Sequence, residues 1–124
     1  MNERVAIIGA SDNPERYSYL ALQLLDEMGH TPIPIHPRLE RINRFPVVAS
    51  LQELVDSREQ VDTVTMYVGA KISNGMGPEL IALHPRRVIF NPGAENPLLQ
   101  KELEAAGIET VAACTLVLLR TGQF

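Results

Sequence analysis

The sequence predicts an α/β fold: a Rossmann-like, doubly wound parallel sheet of about five strands with helices on both faces. Three observations carry this. Runs rich in Val, Ile, Thr and Phe recur at residues 4–9, 31–36, 63–68, 87–91 and 109–113. Helical segments or loops of crossover length separate them, which suits parallel strands joined by right-handed crossovers. The first run breaks at Gly9 into small polar residues and an apolar-periodic segment follows, so the chain opens as strand, turn and helix.

Each helix has its own signal. In the first, expected over 18–28, Leu20, Leu24, Leu25 and Met28 recur at three- and four-residue steps and Gly29 is a natural stop. The second starts after Ser50, with Leu51, Leu54 and Val55 inward and Ser50 with Glu53 as a capping box. A third fits 78–83 or begins earlier. The fourth runs from Asn96 or Pro97 to Ala106, with Leu98, Leu99 and Leu103 apolar and Gly107 ending it.

With 124 residues and 45% hydrophobic content, the chain can bury one core but not two, so residues 1–124 are expected to form one domain. The net charge of −4 argues against a general nucleic-acid or anionic-membrane binder. Arg16, Arg38, Arg41 and Arg44 could still form a local basic cluster for one anion. Cys114 is the single cysteine, so no internal disulfide can form, and no signal-peptide core follows Met1. A cytoplasmic, soluble protein is expected, since no apolar run approaches the roughly 18 residues that span a bilayer.

Gly9 permits a tight turn, Ala10 and Ser11 keep side chains small, and the following helix N-terminus offers unpaired N–H groups to an anion. The dinucleotide fingerprint wants three glycines, and its positions here hold Gly9, Ser11 and Pro14. Ser11, Asn13, Arg16 and Ser18 instead supply hydroxyl, amide and guanidinium donors suited to a phosphate or diphosphate. The alternative is structural: Asn13 caps the helix, Pro14 takes its first position, and nothing binds.

Ligands of such sheets bind beyond the carboxyl ends of the strands. Those positions hold His36-Pro37-Arg38, Tyr67-Val68-Gly69-Ala70-Lys71, Asn91-Pro92-Gly93-Ala94-Glu95-Asn96 and Cys114. NAD enzymes usually place an acidic residue after the second strand; Arg38 fits a ribose that carries its own phosphate, as in NADP or coenzyme A, or else it solvates a loop together with Arg41 and Arg44. The turn formers at 91–97 are required for backbone reasons or touch a ligand through Asn91 and Glu95. Asn74-Gly75-Met76-Gly77 reads as a mobile segment able to close over a long ligand.

These motifs together resemble the small, stand-alone coenzyme A-binding proteins related to the nucleotide-binding domain of the succinyl-CoA synthetase α subunit. The resemblance covers nearly the whole chain. It rests on Val5-Ala-Ile-Ile-Gly-Ala-Ser11 with Pro14, Arg16, Ser18 and Tyr19, on His36-Pro37, on Val88-Ile-Phe-Asn-Pro-Gly-Ala-Glu-Asn96, and on the ending from Cys114 to Phe124. It implies coenzyme A along the strand ends, with phosphates at 9–18, adenosine near 36–38, and further contacts from Tyr67, Val68, Gly69, Lys71, Asn91, Pro92 and Gly93. It also implies the strand order 3-2-1-4-5. Where relatives commonly carry Asn-Pro-Lys, this chain has His36-Pro37-Arg38, and 67–71 lacks the proline found in related loops. The ligase activity is not implied, because it needs a further domain with a phosphorylatable histidine.

No catalytic constellation is legible. His30, His36 and His84 are isolated, no His/Cys spacing suits zinc, and Cys114 reads as a buried, inert thiol at the end of the last strand. A non-catalytic carrier or sensor of coenzyme A or acyl-CoA is therefore the leading expectation. Its rivals are an NADP-dependent oxidoreductase component and an interaction protein with a vestigial nucleotide site. The apolar stretch Leu116-Val-Leu-Leu119 leaves a homo-oligomer open.

Overall fold

The computed structural model describes residues 2–124. The elements are β1 (Arg4–Ile8), α1 (Tyr17–Glu27), β2 (Thr31–Ile35), β3 (Arg41–Ile42), β4 (Phe45–Pro46), α2 (Leu51–Ser57), β5 (Thr63–Met66), α3 (Ala70–Ser73), α4 (Gly77–Leu83), β6 (Arg87–Phe90), α5 (Pro97–Ala105), β7 (Glu109–Ala112) and α6 (Thr115–Arg120). Five strands form one parallel sheet in the order β2-β1-β5-β6-β7, and β3 and β4 make a small antiparallel hairpin. The α/β, doubly wound class expected from the sequence is the class observed.

The order 3-2-1-4-5 is met through a strand one residue long. Val48 bridges Ile35 in parallel on the free flank of β2, with Val48 N–H on the Pro34 carbonyl at 2.9 Å and His36 N–H on the Val48 carbonyl at 3.0 Å. Counted as the third strand, it precedes β2, β1, β5 and β6, and β7 extends the far edge. The 63–68 run, third among the long apolar runs, accordingly lies beside β1 in the middle of the sheet.

Side chains on β1 alternate between the two layers. Ala6 and Ile8 join Leu54, Met66, Leu80, Phe90 and Leu103 on the face covered by α2, α4 and α5. Val5 and Ile7 join Leu22, Leu25, Ile42 and Leu119 on the face covered by α1, α6 and the hairpin. Burial on both faces explains the continuous apolar character of the strand.

Several boundaries differ from the sequence expectation. α1 begins at Tyr17 with Arg16 at the cap and no side-chain cap bond, so Asn13 does not cap it. Ser11 Oγ instead accepts from Asn13 N–H, and Asn13 Oδ1 from Glu15 N–H, both at 3.0 Å, folding 11–15 into successive side-chain turns before the helix starts. Ser50 Oγ accepts from Glu53 N–H at 3.4 Å as the capping box requires, but Glu53 Oε2 reaches Ala49 N–H rather than that of Ser50. Leu98 points outward at 78% exposure, because the buried stripe of α5 runs through Leu99 and Leu103. The 70–83 region divides into α3 and α4, and its 74–77 connection is tied down: Asn96 Nδ2 donates to Ser73 Oγ at 2.8 Å and to Asn74 Oδ1 at 2.9 Å. The 116–119 stretch is absorbed into α6, with Leu116 and Leu119 buried and Val117 exposed.

At the amino ends of the strands the polar groups answer one another. The Glu3 carboxylate accepts from Thr63 Oγ1 at 2.6 Å and Arg86 Nη2 at 2.9 Å, while Arg87 Nε donates to Thr63 Oγ1 at 2.9 Å. The Arg87 guanidinium lies 4.3 Å over the Phe124 ring, and His30 Nδ1 accepts from Glu3 N–H at 3.0 Å. That end of the sheet is closed, and the cavity lies at the other.

Candidate functional site

The site begins where β1 stops. Gly9 has φ +85°, and a Cβ there would stand 2.9 Å from Val68 Cγ1 and 3.2 Å from the Tyr67 carbonyl carbon. Both the left-handed backbone and the approach of the β5 end require glycine. Ala10 N–H then binds the Ile35 carbonyl at 3.3 Å, drawing the loop across the end of β2. Arg16 stands at the N-cap of α1 with its side chain exposed; Tyr19 N–H binds the Arg16 carbonyl at 3.1 Å, while the Tyr17 and Ser18 N–H groups have no backbone acceptor. An anion at this turn would meet backbone donors, the Ser11 hydroxyl and the Arg16 guanidinium together.

A cavity of about 860 Å³ opens from this loop. Gly9, Ala10, Ser11 and 15–18 form its floor; Ile35, His36, Pro37 and 49–51 form one wall; Tyr67, Val68, Ile72, Met76 and Glu79 form the other. Its size lies within the range of small-molecule and cofactor sites. Two groups on its walls have well-defined chemistry. His36 Nδ1 accepts from both Arg38 N–H and Leu39 N–H at 3.0 Å, which leaves Nε2 as the ring nitrogen free to donate. Tyr67, largely buried, has its hydroxyl pushed up to about 12 by burial, against the opposing effect of the nearby Thr65 and Thr115 hydroxyls. That oxygen is shielded from water, and neither neighbour meets it in hydrogen-bond geometry.

The sequence-expected residues divide into two sets. Gly9, Ala10, Ser11, Arg16, Ser18, His36, Pro37, Tyr67 and Val68 converge on the cavity. Asn13, Tyr19, Arg38, Gly69, Lys71, Asn91, Pro92 and Gly93 do not line it. Tyr19 turns toward the hairpin, where Asn43 Nδ2 donates to its hydroxyl at 3.1 Å. Arg38 is exposed beyond Pro37, and Arg44 pairs with Asp26 at 2.7 Å. Gly69 lies close to the Gly93 carbonyl, and Lys71 on α3 is exposed. Asn91 is buried: its Nδ2 donates to Thr65 Oγ1 at 2.7 Å and to the Met66 carbonyl at 2.8 Å, and its Oδ1 accepts from Thr115 N–H at 2.8 Å. Cys114 is half-buried at the start of α6, outside the cavity lining, rather than fully buried at a strand end.

Glu15 and Tyr17 line the cavity within the 9–18 turn and Met76 within the 74–77 segment, whereas Ile8, Ile35, 49–51, Ile72 and Glu79 were not singled out as cavity residues. The Ser50 cap was a usable signal, because a helix starting next to the rim brings its first turn to the ligand side. Ile72 and Glu79 carried no comparable signal.

A glycine turn between β1 and α1, set at the carboxyl edge of a doubly wound sheet and opening on a cavity beside the end of β2, defines a nucleotide-binding class of site. Comparison with known proteins narrows the class. Residues 3–120 match the family described as CoA binding domain, and the chain belongs to that family. A crystal structure of an uncharacterized protein superposes with a TM-score of 0.88 at 35% identity, covering 100% of this chain and 99% of that one. A Thermus thermophilus protein gives 0.87 at 30% identity, over 98% of this chain and 90% of that one. Acetyl-coenzyme A synthetase 1 of Ca. Korarchaeum cryptofilum shares the fold at a TM-score of 0.74 and 15% identity, over 90% of this chain but 26% of its own. Uncharacterized protein YneT of Bacillus subtilis is 30% identical over 53 residues, 43% of this chain and 39% of that protein. No helix among the described residues is long and apolar enough to cross a membrane.

Proposed function

We propose that the protein binds coenzyme A or an acyl-CoA as a non-catalytic carrier or sensor in the cytoplasm. The observation that carries this reading is the convergence of the Gly9 turn, Arg16 and the His36-Pro37 strand end on one cavity, in a chain of the CoA-binding family. The pyrophosphate is assigned to 9–18, where backbone donors and Arg16 face it. The adenosine is assigned to the wall formed by His36, Pro37 and the start of α2. The pantetheine arm then leaves along the rim past Gly69, Lys71 and Gly93. Arg38, outside the cavity, is assigned to the 3′-phosphate at its mouth.

Titration calorimetry at one fixed salt concentration tests this with coenzyme A, dephospho-coenzyme A and both redox forms of NADP. Binding of coenzyme A on the order of −8 kcal/mol, weakened on removal of the 3′-phosphate, is the expected result. Preference for the nicotinamide ligands would move the assignment to an oxidoreductase component, and silence with all of them would leave a scaffold with a vestigial site.

A further inference from the structure

Resting on the coenzyme A reading, we propose that Glu79 reads the exocyclic amine of adenine and makes the apolar end of the cavity selective for a 6-aminopurine. Glu79 is the third residue of α4, half-buried, and lines the cavity with Ile72 and Met76. It forms no ion pair among the described residues. The lining's other carboxylate, Glu15, is exposed on the phosphate-side loop, and Arg16 is the one arginine that lines the cavity.

An unpaired carboxylate repels phosphate, so the part of a polyanionic ligand that reaches Glu79 has to be neutral and rich in N–H donors. Around it, Ile35, Leu51, Val68, Ile72 and Met76 present apolar surface suited to the faces of a planar base. The position agrees with the fold. α2 and α4 pack together on one layer, so the start of α2 beside His36 and the first turn of α4 close on the same space. In a doubly wound sheet the base half of a nucleotide lies over the strand ends on one side of the phosphate turn. A purine seated between these walls directs its edge toward α4. The 6-amino group is the N–H donor on that edge of adenine, and a carboxylate oxygen is its natural acceptor. The pantetheine amides are the ligand's other N–H donors; ADP lacks them, so a preference measured with ADP reports on the base alone.

The experiment measures the affinity of ADP and of purine riboside 5′-diphosphate, which lacks the 6-amino group, for the unmodified protein and for Glu79→Gln and Glu79→Ala. Unmodified protein should favour ADP by about tenfold, the size of one hydrogen bond to a charged group at the lower end of its range. Glu79→Ala should bring the two ligands within about twofold by weakening ADP alone, whereas Glu79→Gln, whose Oε1 still accepts, should keep most of the preference. Equal binding of both ligands by unmodified protein overturns the proposal without recourse to any variant. So does an undiminished preference in Glu79→Ala, or tighter binding of GDP, whose N1–H and 2-amino group would offer the carboxylate a better pair of donors. Coenzyme A titrated in parallel separates the two readings: coenzyme A binding without an amine preference sinks the Glu79 assignment alone. An amine preference without coenzyme A binding sinks the coenzyme A reading alone, and no binding of any ligand sinks both.

Discussion

The loop between β1 and α1 and the loop between β6 and α5 both follow buried strands, and both are dense in turn-forming residues. Their polar groups have opposite fates. In the first, Asn13, Glu15 and Arg16 N–H are bound within the loop, but the Arg16 side chain is exposed without a cap bond and the Tyr17 and Ser18 N–H groups at the start of α1 have no backbone acceptor. In the second, Asn91 binds Thr65, Met66 and Thr115; Asn96 Oδ1 caps α5 through Leu99 N–H at 3.1 Å; and Glu95 accepts from Gly93 N–H at 2.9 Å. A loop that leaves a guanidinium and its helix-start N–H groups unanswered can serve a ligand, and one whose side chains are consumed holds the sheet edge in place.

The largest expected effect comes from breaking the second loop. Asn91→Ala removes three buried hydrogen bonds and leaves the Thr115 N–H without its acceptor, so unfolding free energy should fall by roughly 3 kcal/mol, read from denaturant melts. Coenzyme A affinity of the folded fraction should change little; a variant that keeps its stability but loses the ligand would reverse the roles of the loops. Arg16→Ala should do the converse, weakening coenzyme A by about 1.5 to 3 kcal/mol in calorimetry while stability stays within about 0.5 kcal/mol. Arg38→Ala should cost less, up to about 1 kcal/mol, because the side chain is exposed outside the cavity. That cost should vanish with dephospho-coenzyme A, and its persistence would remove Arg38 from the 3′-phosphate.

The smallest effect sharpens a third region, the closed amino end of the sheet. Burial lowers the pKa of His30, partly offset by Glu3, while Arg87 lowers it further. Its neutral Nδ1 accepts from Glu3 N–H, so the folded state resists a proton that the unfolded chain takes up near the usual imidazole value of about 6.5. This contribution is complete above that value and is lost as pH falls through the lower folded one. A scan of melting temperature from neutral to mildly acid pH should show a slight decline that His30→Ala flattens.

Much of the fold was legible because its signals are local. Runs of Val, Ile and Thr between glycines and prolines can hardly be read otherwise, and Asn96-Pro97 announced its helix. The start of α1 was read to within one residue, and the alternative with Asn13 as its cap fails because Asn13 Oδ1 is used in a side-chain turn that looks the same as a cap in sequence. Val48 forms a strand too short to have a pattern, so the sheet order could be reached only through resemblance. In the site, Gly9, the strand ends and the 74–77 segment with Met76 were visible, whereas Ile72 and Glu79 reach the cavity through a crossover that no spacing encodes. Asn91 shows the complementary limit: an amide after a buried strand suits a ligand and a network equally, and only its three partners decide.

The double acceptance at His36 Nδ1 bears on the ionic strength of any binding assay. With that lone pair occupied, the ring can give a hydrogen bond through Nε2 and has no site left to receive one or to hold a metal. Through Nε2 it offers oxygen atoms a directional hydrogen bond, which added salt weakens less than the charge attraction of Arg16. The two ends of the cavity should thus answer salt differently, with the phosphate side fading first and the side next to β2 holding.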